Sequence, residues 1–131
     1  MVIDKMPAGK YYVGDLCYVI NDDKVWSEVC EMTLTKAGRS IEGAFTLSSG
    51  KRFAMLSTAY GDGFYRDNEG QGYSVDSGTI GCIKVDDLTQ EEQEDLDKGL
   101  NLGQVIDFPN DFYIKNNNGE LIFGRVWIDT N

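Results

Sequence analysis

The chain contains no histidine. Without imidazole there is no Ser-His-Asp triad, no Cys-His nucleophile pair and no histidine-bearing zinc site. Basic residues are also scarce, 12 against 22 acids, which leaves a net charge of −10. That balance argues against a non-specific binder of DNA, RNA or anionic membrane, whose affinity comes largely from Lys and Arg. The three cysteines, Cys17, Cys30 and Cys82, are an odd number without a C-x-x-C spacing. They read as small buried residues of a reducing compartment rather than as a disulfide framework or a three-thiolate metal site. Long apolar runs are missing too. The longest, Leu16-Cys17-Tyr18-Val19-Ile20, is far too short to span a bilayer, and Met1 to Lys10 lacks the apolar core of a secretory signal. The expectation is a soluble cytoplasmic protein with no membrane partner and no direct nucleic-acid partner.

What is present is enough for one folded domain. The 131 residues are 41% hydrophobic, so a single domain spanning 1–131 can bury enough surface to offset the entropy of ordering. The acidity is uneven: seven of the 22 acids lie between Asp86 and Asp97, a stretch with no base. The rest of the chain is close to neutral, which leaves room for a local anion pocket. The stretch itself fits a solvated helix face.

Periodicity divides the chain into strands and two helices. Lys10 to Ile20, rich in β-branched and aromatic residues, reads as a strand interrupted at Gly14-Asp15. Asn21, Asp22 and Asp23 supply oxygens for a helix start, and Val25, Trp26, Val29 and Cys30 share one face of a helix from Asp23 to Thr33. Ala44 to Leu47 and Arg52 to Leu56 flank the turn Ser48-Ser49-Gly50-Lys51 as a β-hairpin. Asp67-Asn68-Glu69-Gly70 is turn chemistry between two short strands, and Thr79 to Val85 is another strand. Thr89-Gln90-Glu91-Glu92 fits a capping box opening a polar surface helix, anchored by Leu88, Leu96 and Leu100 and ending near Lys98-Gly99. The tail offers strands at Val105 to Phe108, Asp111 to Lys115 and Glu120 to Ile128, the last two joined by Asn116-Asn117-Asn118-Gly119. The expected fold class is α+β, a curved antiparallel sheet or small β-barrel with two short helices.

Candidate chemistry concentrates between Tyr60 and Cys82, which holds six of the 15 glycines together with Tyr60, Tyr65 and Tyr73. In Tyr60-Gly61-Asp62-Gly63 a carboxylate stands between two glycines, where other groups can approach it closely. Asp62 and Asp76 are candidate hydrogen-bonding groups for a ligand, Tyr60, Tyr65 and Tyr73 candidate stacking surfaces, and Arg66 a candidate anion contact. Arg39, Lys51, Arg52 and Arg125 are further cations that can assist. Asp62, Asp67 and Asp76 could converge on a divalent metal, but their spacing fits no EF-hand. Glycines around Ser77-Gly78-Thr79 suggest a weak backbone-amide nest for an anion. Gly14-Asp15 repeats the Gly61-Asp62 pattern, and two carboxylates in one cleft can serve acid/base work if their environments separate their pKa values. For every one of these residues the plainer reading is a strand corner with solvated acids and packed tyrosines. No catalytic residue and no cofactor are assigned.

The string Gly9-Lys10-Tyr11-Tyr12-Val13-Gly14-Asp15-Leu16-Cys17-Tyr18-Val19, Trp26 on a short helix, and Tyr60-Gly61-Asp62-Gly63 resemble blocks of a group of small proteins carried by tailed phages and by bacteria. Val75-Asp76-Ser77-Gly78-Thr79-Ile80-Gly81 and Phe123-Gly124-Arg125-Val126-Trp127-Ile128-Asp129-Thr130 resemble later blocks of the same group. The group brings no established activity with it. The resemblance implies a phage or bacterial setting, the host cytoplasm for a phage protein, and by analogy favours binding of a host component over catalysis. The leading expectation is a non-enzymatic protein that sequesters a small polar ligand, nucleotide-like and in a phage setting an immune signal of the host. A site shared between subunits of a homo-oligomer suits so small a domain. One alternative is an inhibitor whose acidic helix, Glu91 to Asp97, occupies a basic site on a host protein. Another is a divalent-metal hydrolase using Asp15, Asp62, Asp67 and Asp76.

Overall fold

Tyr11, Val13 and Tyr12 alternate along one strand and are all fully buried, so that strand must be covered on both faces. A computed structural model, describing residues 2–35, 37, 40–99 and 102–131, shows how. Arg39 and Leu100, a candidate cation and a candidate helix anchor, lie outside the described residues.

The strands in chain order are β1 (Val2–Met6), β2 (Gly9–Gly14), β3 (Gly43–Thr46), β4 (Arg52–Ser57), β5 (Gly63–Arg66) and β6 (Gly72–Val75). They continue as β7 (Thr79–Lys84), β8 (Gln104–Phe108), β9 (Phe112–Asn117), β10 (Glu120–Phe123) and β11 (Val126–Asp129). Helix α1 is Asp23–Thr33 and α2 is Gln90–Asp97. The central sheet has the order β3-β4-β7-β2-β8, a second sheet the order β1-β9-β10-β11, and β5 and β6 form a separate hairpin. The strand pairs are antiparallel, and among the described residues none of the three sheets closes into a barrel. The α+β class stands, in the open form rather than the closed one.

Two hydrophobic cores lie on opposite faces of the central sheet. Tyr11, Val13, Ala54, Leu56, Ile80 and Cys82 pack toward the second sheet, against Phe112, Ile114, Leu121, Phe123 and Ile128. Tyr12, Phe53, Met55 and Ile83 pack the other way, with Val29 of α1, Leu96 of α2 and the neighbouring Leu88. Each Val, Leu, Ile, Phe or Met among them contributes about 1.5–3 kcal/mol by leaving water, which is why β2, β4 and β7 read as near-continuous apolar runs. Among the described residues no helix is long and apolar enough to cross a membrane.

Helix α1 starts where the sequence places it, because the Asp22 carboxylate accepts from the amides of Lys24 and Val25. Helix α2 opens with the reciprocal capping box of Thr89 and Glu92. Two strand expectations change. The strand expected from Lys10 to Ile20 stops at Gly14; Asp15 caps a single 3-10 turn, Leu16–Tyr18, by accepting from the Cys17 amide at 3.1 Å. The strand expected from Glu120 to Ile128 is a hairpin, since Gly124 takes φ 59° and reverses the chain between Phe123 and Val126. Strand β1 gave no signal of its own: it is short, and its partner β9 lies more than a hundred residues away in the chain.

Candidate functional site

At the Gly14, Ser57 and Thr79 end of the central sheet, three chain reversals meet: Asp15 with its 3-10 turn, Thr58 to Gly63, and Asp76 to Gly78. Asp15 organises them. It is fully buried, and its Oδ2 accepts from the amides of Asp76 at 2.8 Å and Ser77 at 2.7 Å. Its Oδ1 accepts from the Ser77 hydroxyl at 2.8 Å and from the Cys17 amide. Four donors satisfy a buried carboxylate, so the cost of removing it from water is offset within the fold. The nest suggested around Ser77 is present one residue earlier, and the anion it holds is the chain's own Asp15.

The second reversal is tied down from its other side. The Thr58 hydroxyl donates to the carbonyl of Gly61 at 2.7 Å, and the Tyr65 hydroxyl donates to the same carbonyl at 2.8 Å. Thr58 also donates its amide to the Gly78 carbonyl at 3.1 Å, joining the two loops. Gly61 and Gly78 have φ of 78° and 76°, a conformation that favours glycine. A Cβ on Gly78 would stand 3.7 Å from the Gly61 Cα and 4.0 Å from a carboxylate oxygen of Asp62, which places Asp62 across the junction between loops.

The electrostatics show what converges there. Burial pushes the Cys17 thiol up to about 12, helped by its hydrogen bond to Asp15 and by the negative charges of Asp15, Asp76 and Asp62. The Tyr18 phenol is likewise raised, by desolvation first and then by Asp76, Cys17, Asp15 and Asp62. Asp15, Asp62 and Asp76 therefore share one neighbourhood with Cys17 and Tyr18. Asp15 is consumed internally, whereas Asp62 and Asp76 are exposed and make no hydrogen bond or ion pair through their carboxylates with another described residue. Tyr60, 77% exposed, stands on the same loop. A protonated thiol at neutral pH gives Cys17 little nucleophilic character.

The other predicted site residues go elsewhere. Tyr73 is fully buried in the core, where its hydroxyl donates to Asp67 Oδ2 at 2.7 Å, so its ring is packing surface. Tyr65 is half-buried and fixes the loop. Arg66 sits at the opposite end of the β5–β6 hairpin, paired with Gly72, three residues and about 10 Å of strand from Gly63. There it lies over the exposed Phe64 ring at 5.2 Å and donates to the Gly70 carbonyl. Asp67 is held in that hairpin's turn, accepting from the amides of Glu69 and Gln71. The four aspartates of the metal reading thus divide among a buried clamp, a distant turn and two exposed loops. Among the described residues no group of three or more acids or cysteines is arranged to hold a metal ion.

Sequence reasoning missed Thr58 and Cys17 as parts of this corner, and it named Ser77 for a nest without foreseeing that Asp15 fills it. The only signal was the recurrence of short polar side chains beside Gly-Asp and Asp-Ser-Gly, a pattern that many ordinary turns share. In the acidic helix, Glu92 is buried and accepts from the amides of Thr89 and Asn21, while Glu91, Glu94 and Asp97 are exposed. Comparison with protein-family models, curated proteins and solved structures returned no match to the chain.

Proposed function

We propose that the chain is a non-enzymatic binding protein that captures a small polar ligand at the corner formed by Tyr60, Asp62 and Asp76. One observation carries this reading: the loops are immobilised from beneath by Asp15, Thr58 and Tyr65, yet the carboxylates they present have no partner among the described residues. Preorganised loops with unsatisfied acceptors lose little entropy on binding. The ligand class follows from the charges. Two carboxylates that form no ion pair with a described residue suit hydrogen-bond donors, such as an amine, an amide edge or ring N–H groups, and Tyr60 offers a face for a flat ring. A nucleobase-like group meets both requirements, with base stacking worth about 1–3 kcal/mol. Arg66 is too far along the hairpin to serve the same bound group. In the phage setting suggested by the sequence resemblance, such capture would withdraw a small signal molecule of the host.

The test is native mass spectrometry of the protein before and after incubation with a cell extract. A mass adduct released by denaturation, and lost in Asp62→Ala and Asp76→Ala, is the expected result. Both variants alter exposed side chains and should unfold at the wild-type denaturant midpoint. Bare protein in both samples, or an adduct indifferent to both substitutions, overturns the proposal.

A second reading is supported by a separate observation, the exposed acids on α2. If that helix mimics a polyanion for a basic host protein, reversing Glu91, Glu94 and Asp97 to Lys abolishes capture of the partner in a pull-down. Unchanged capture removes this reading. Glu92 is left out of the reversal, since its carboxylate closes the capping box.

A further inference from the structure

The chain is strongly acidic, yet at the end of the central sheet opposite the Asp15 corner its cations gather. Lys51 and Arg52 enter β4 there and Lys84 leaves β7. With Pro7, Tyr11 and Asp87 they line a depression of about 440 Å³. Asp87 is the one acid on its wall, so the lining carries two net positive charges. None of the three cations has a carboxylate within ion-pair distance among the described residues, where the single ion pair is Lys5 with Asp111 at 3.9 Å. The Arg52 guanidinium donates to the Lys5 carbonyl at 3.3 Å, which orients the fork while leaving its other N–H groups open to the depression.

The geometry points to an anion-binding site here, for a small phosphate-bearing molecule. Three cations around one depression with a single acid among them repel one another on balance, and a phosphate that reaches two or three of them relieves that repulsion while accepting their hydrogen bonds. The volume lies within the usual range for small-molecule sites, about 300–1,000 Å³. A long polyanion is disfavoured, since the chain as a whole carries a net charge of −10 and repels a run of phosphates at long range. The site is independent of the Asp62 corner, lying at the other end of a six-residue strand, about 17 Å away.

The experiment is calorimetric titration of the full chain with pyrophosphate and, separately, with adenosine, which brings a ring without phosphate. Saturable one-to-one pyrophosphate binding is expected, weakened at least tenfold in the double variant Lys51→Gln, Lys84→Gln and by raising salt from 20 to about 200 mM. Asp87→Asn removes the one opposing charge and should tighten binding several-fold, a gain that a merely damaged fold would not show. Asp62→Ala should leave pyrophosphate affinity unchanged, and adenosine should be indifferent to the lysine substitutions. Absence of saturation up to millimolar pyrophosphate overturns the site. Wild-type affinity in the double variant, or a loss caused by Asp62→Ala alone, overturns it equally.

Discussion

The two ends of the central sheet solve the problem of clustered like charge in opposite ways. At the Gly14 end, three carboxylates share a corner, and one of them is buried and fully hydrogen-bonded so that it holds the loops carrying the other two. At the Lys84 end, three cations line an open depression and none is paired with a carboxylate among the described residues. The first end is rigid because its charge has been turned into structure. The second retains its charge for solvent or a ligand. Burial decides between the two outcomes, because a carboxylate removed from water must find donors, whereas a half-exposed lysine need not find an acceptor.

The sharpest way to break this contrast is to remove the clamp. Asp15→Ala leaves the amides of Asp76 and Ser77 without their acceptor inside the fold, and should cost about 3–5 kcal/mol. The denaturant midpoint should fall sharply with little change in slope. Asp15→Asn keeps one acceptor oxygen and should fall between the variant and wild type. An unfolding free energy within about 0.5 kcal/mol of wild type for Asp15→Ala would show that the corner does not depend on its buried carboxylate.

Much of the fold was legible because it is encoded locally. Asp22 ahead of Val25, Trp26 and Val29, and Thr89 three residues before Glu92, are complete capping signals within one turn of chain. The hairpin of β3 and β4 and the turn at Asp67 to Gly70 were likewise readable from neighbouring residues. The site was less legible because its pairing is remote. Asp15 and Ser77 are 62 residues apart, and nothing in either segment states that one carboxylate accepts from the other's amides. Tyr73 shows the converse error, since a tyrosine among glycines looks like a ligand platform until its ring is found in the core. Gly124 inside an alternating run reads as strand, and only its positive φ reveals a reversal. Lys84 was invisible as a site residue, because its companions are Arg52 on a different strand and Lys51 in the turn before it.

Alkaline titration probes the rigid end next. Cys17 has its thiol raised to about 12 from an ordinary value near 9, and burial raises the Tyr12 and Tyr73 phenols as well. A raised pKa in the folded state means that the unfolded chain gives up its proton first. The stabilisation is complete below about pH 9 and drains away as the pH rises through 12. Stability measured by denaturant at pH 7, 9, 10 and 11 should therefore be flat at first and then decline. Alkylation of Cys17 at pH 8 should run at least tenfold slower in the folded protein than in urea. Fast alkylation of folded Cys17 would show that its thiol is not held protonated by the carboxylate corner.

A smaller effect tests whether the Asp67 turn is coupled to the core. Tyr73→Phe keeps the buried ring and deletes only the hydroxyl that donates to Asp67. The loss of a hydrogen bond to a charged acceptor should cost about 1.5–3 kcal/mol, less than the Asp15 clamp, since Asp67 retains two backbone donors. A change below about 0.5 kcal/mol in the unfolding free energy would mean that the turn holds itself.

The smallest change is expected at the basic end, and its sign is the informative part. Lys84 lines the depression with Lys51 and Arg52 and has no ion-paired carboxylate among the described residues, so neutralising it relieves their repulsion and breaks no salt bridge there. Lys84→Gln should leave the unfolding free energy unchanged or raise it by up to about 0.5 kcal/mol, with the gain shrinking as salt screens the cations. A clear destabilisation would assign Lys84 a structural task through its aliphatic stem, whose methylenes approach the backbone of β2 at Gly9. A salt-dependent gain would mark the three cations as a group held together against their own repulsion, the opposite of the carboxylates at the other end. There the same neutralisation at Asp15 removes the support on which both loops rest.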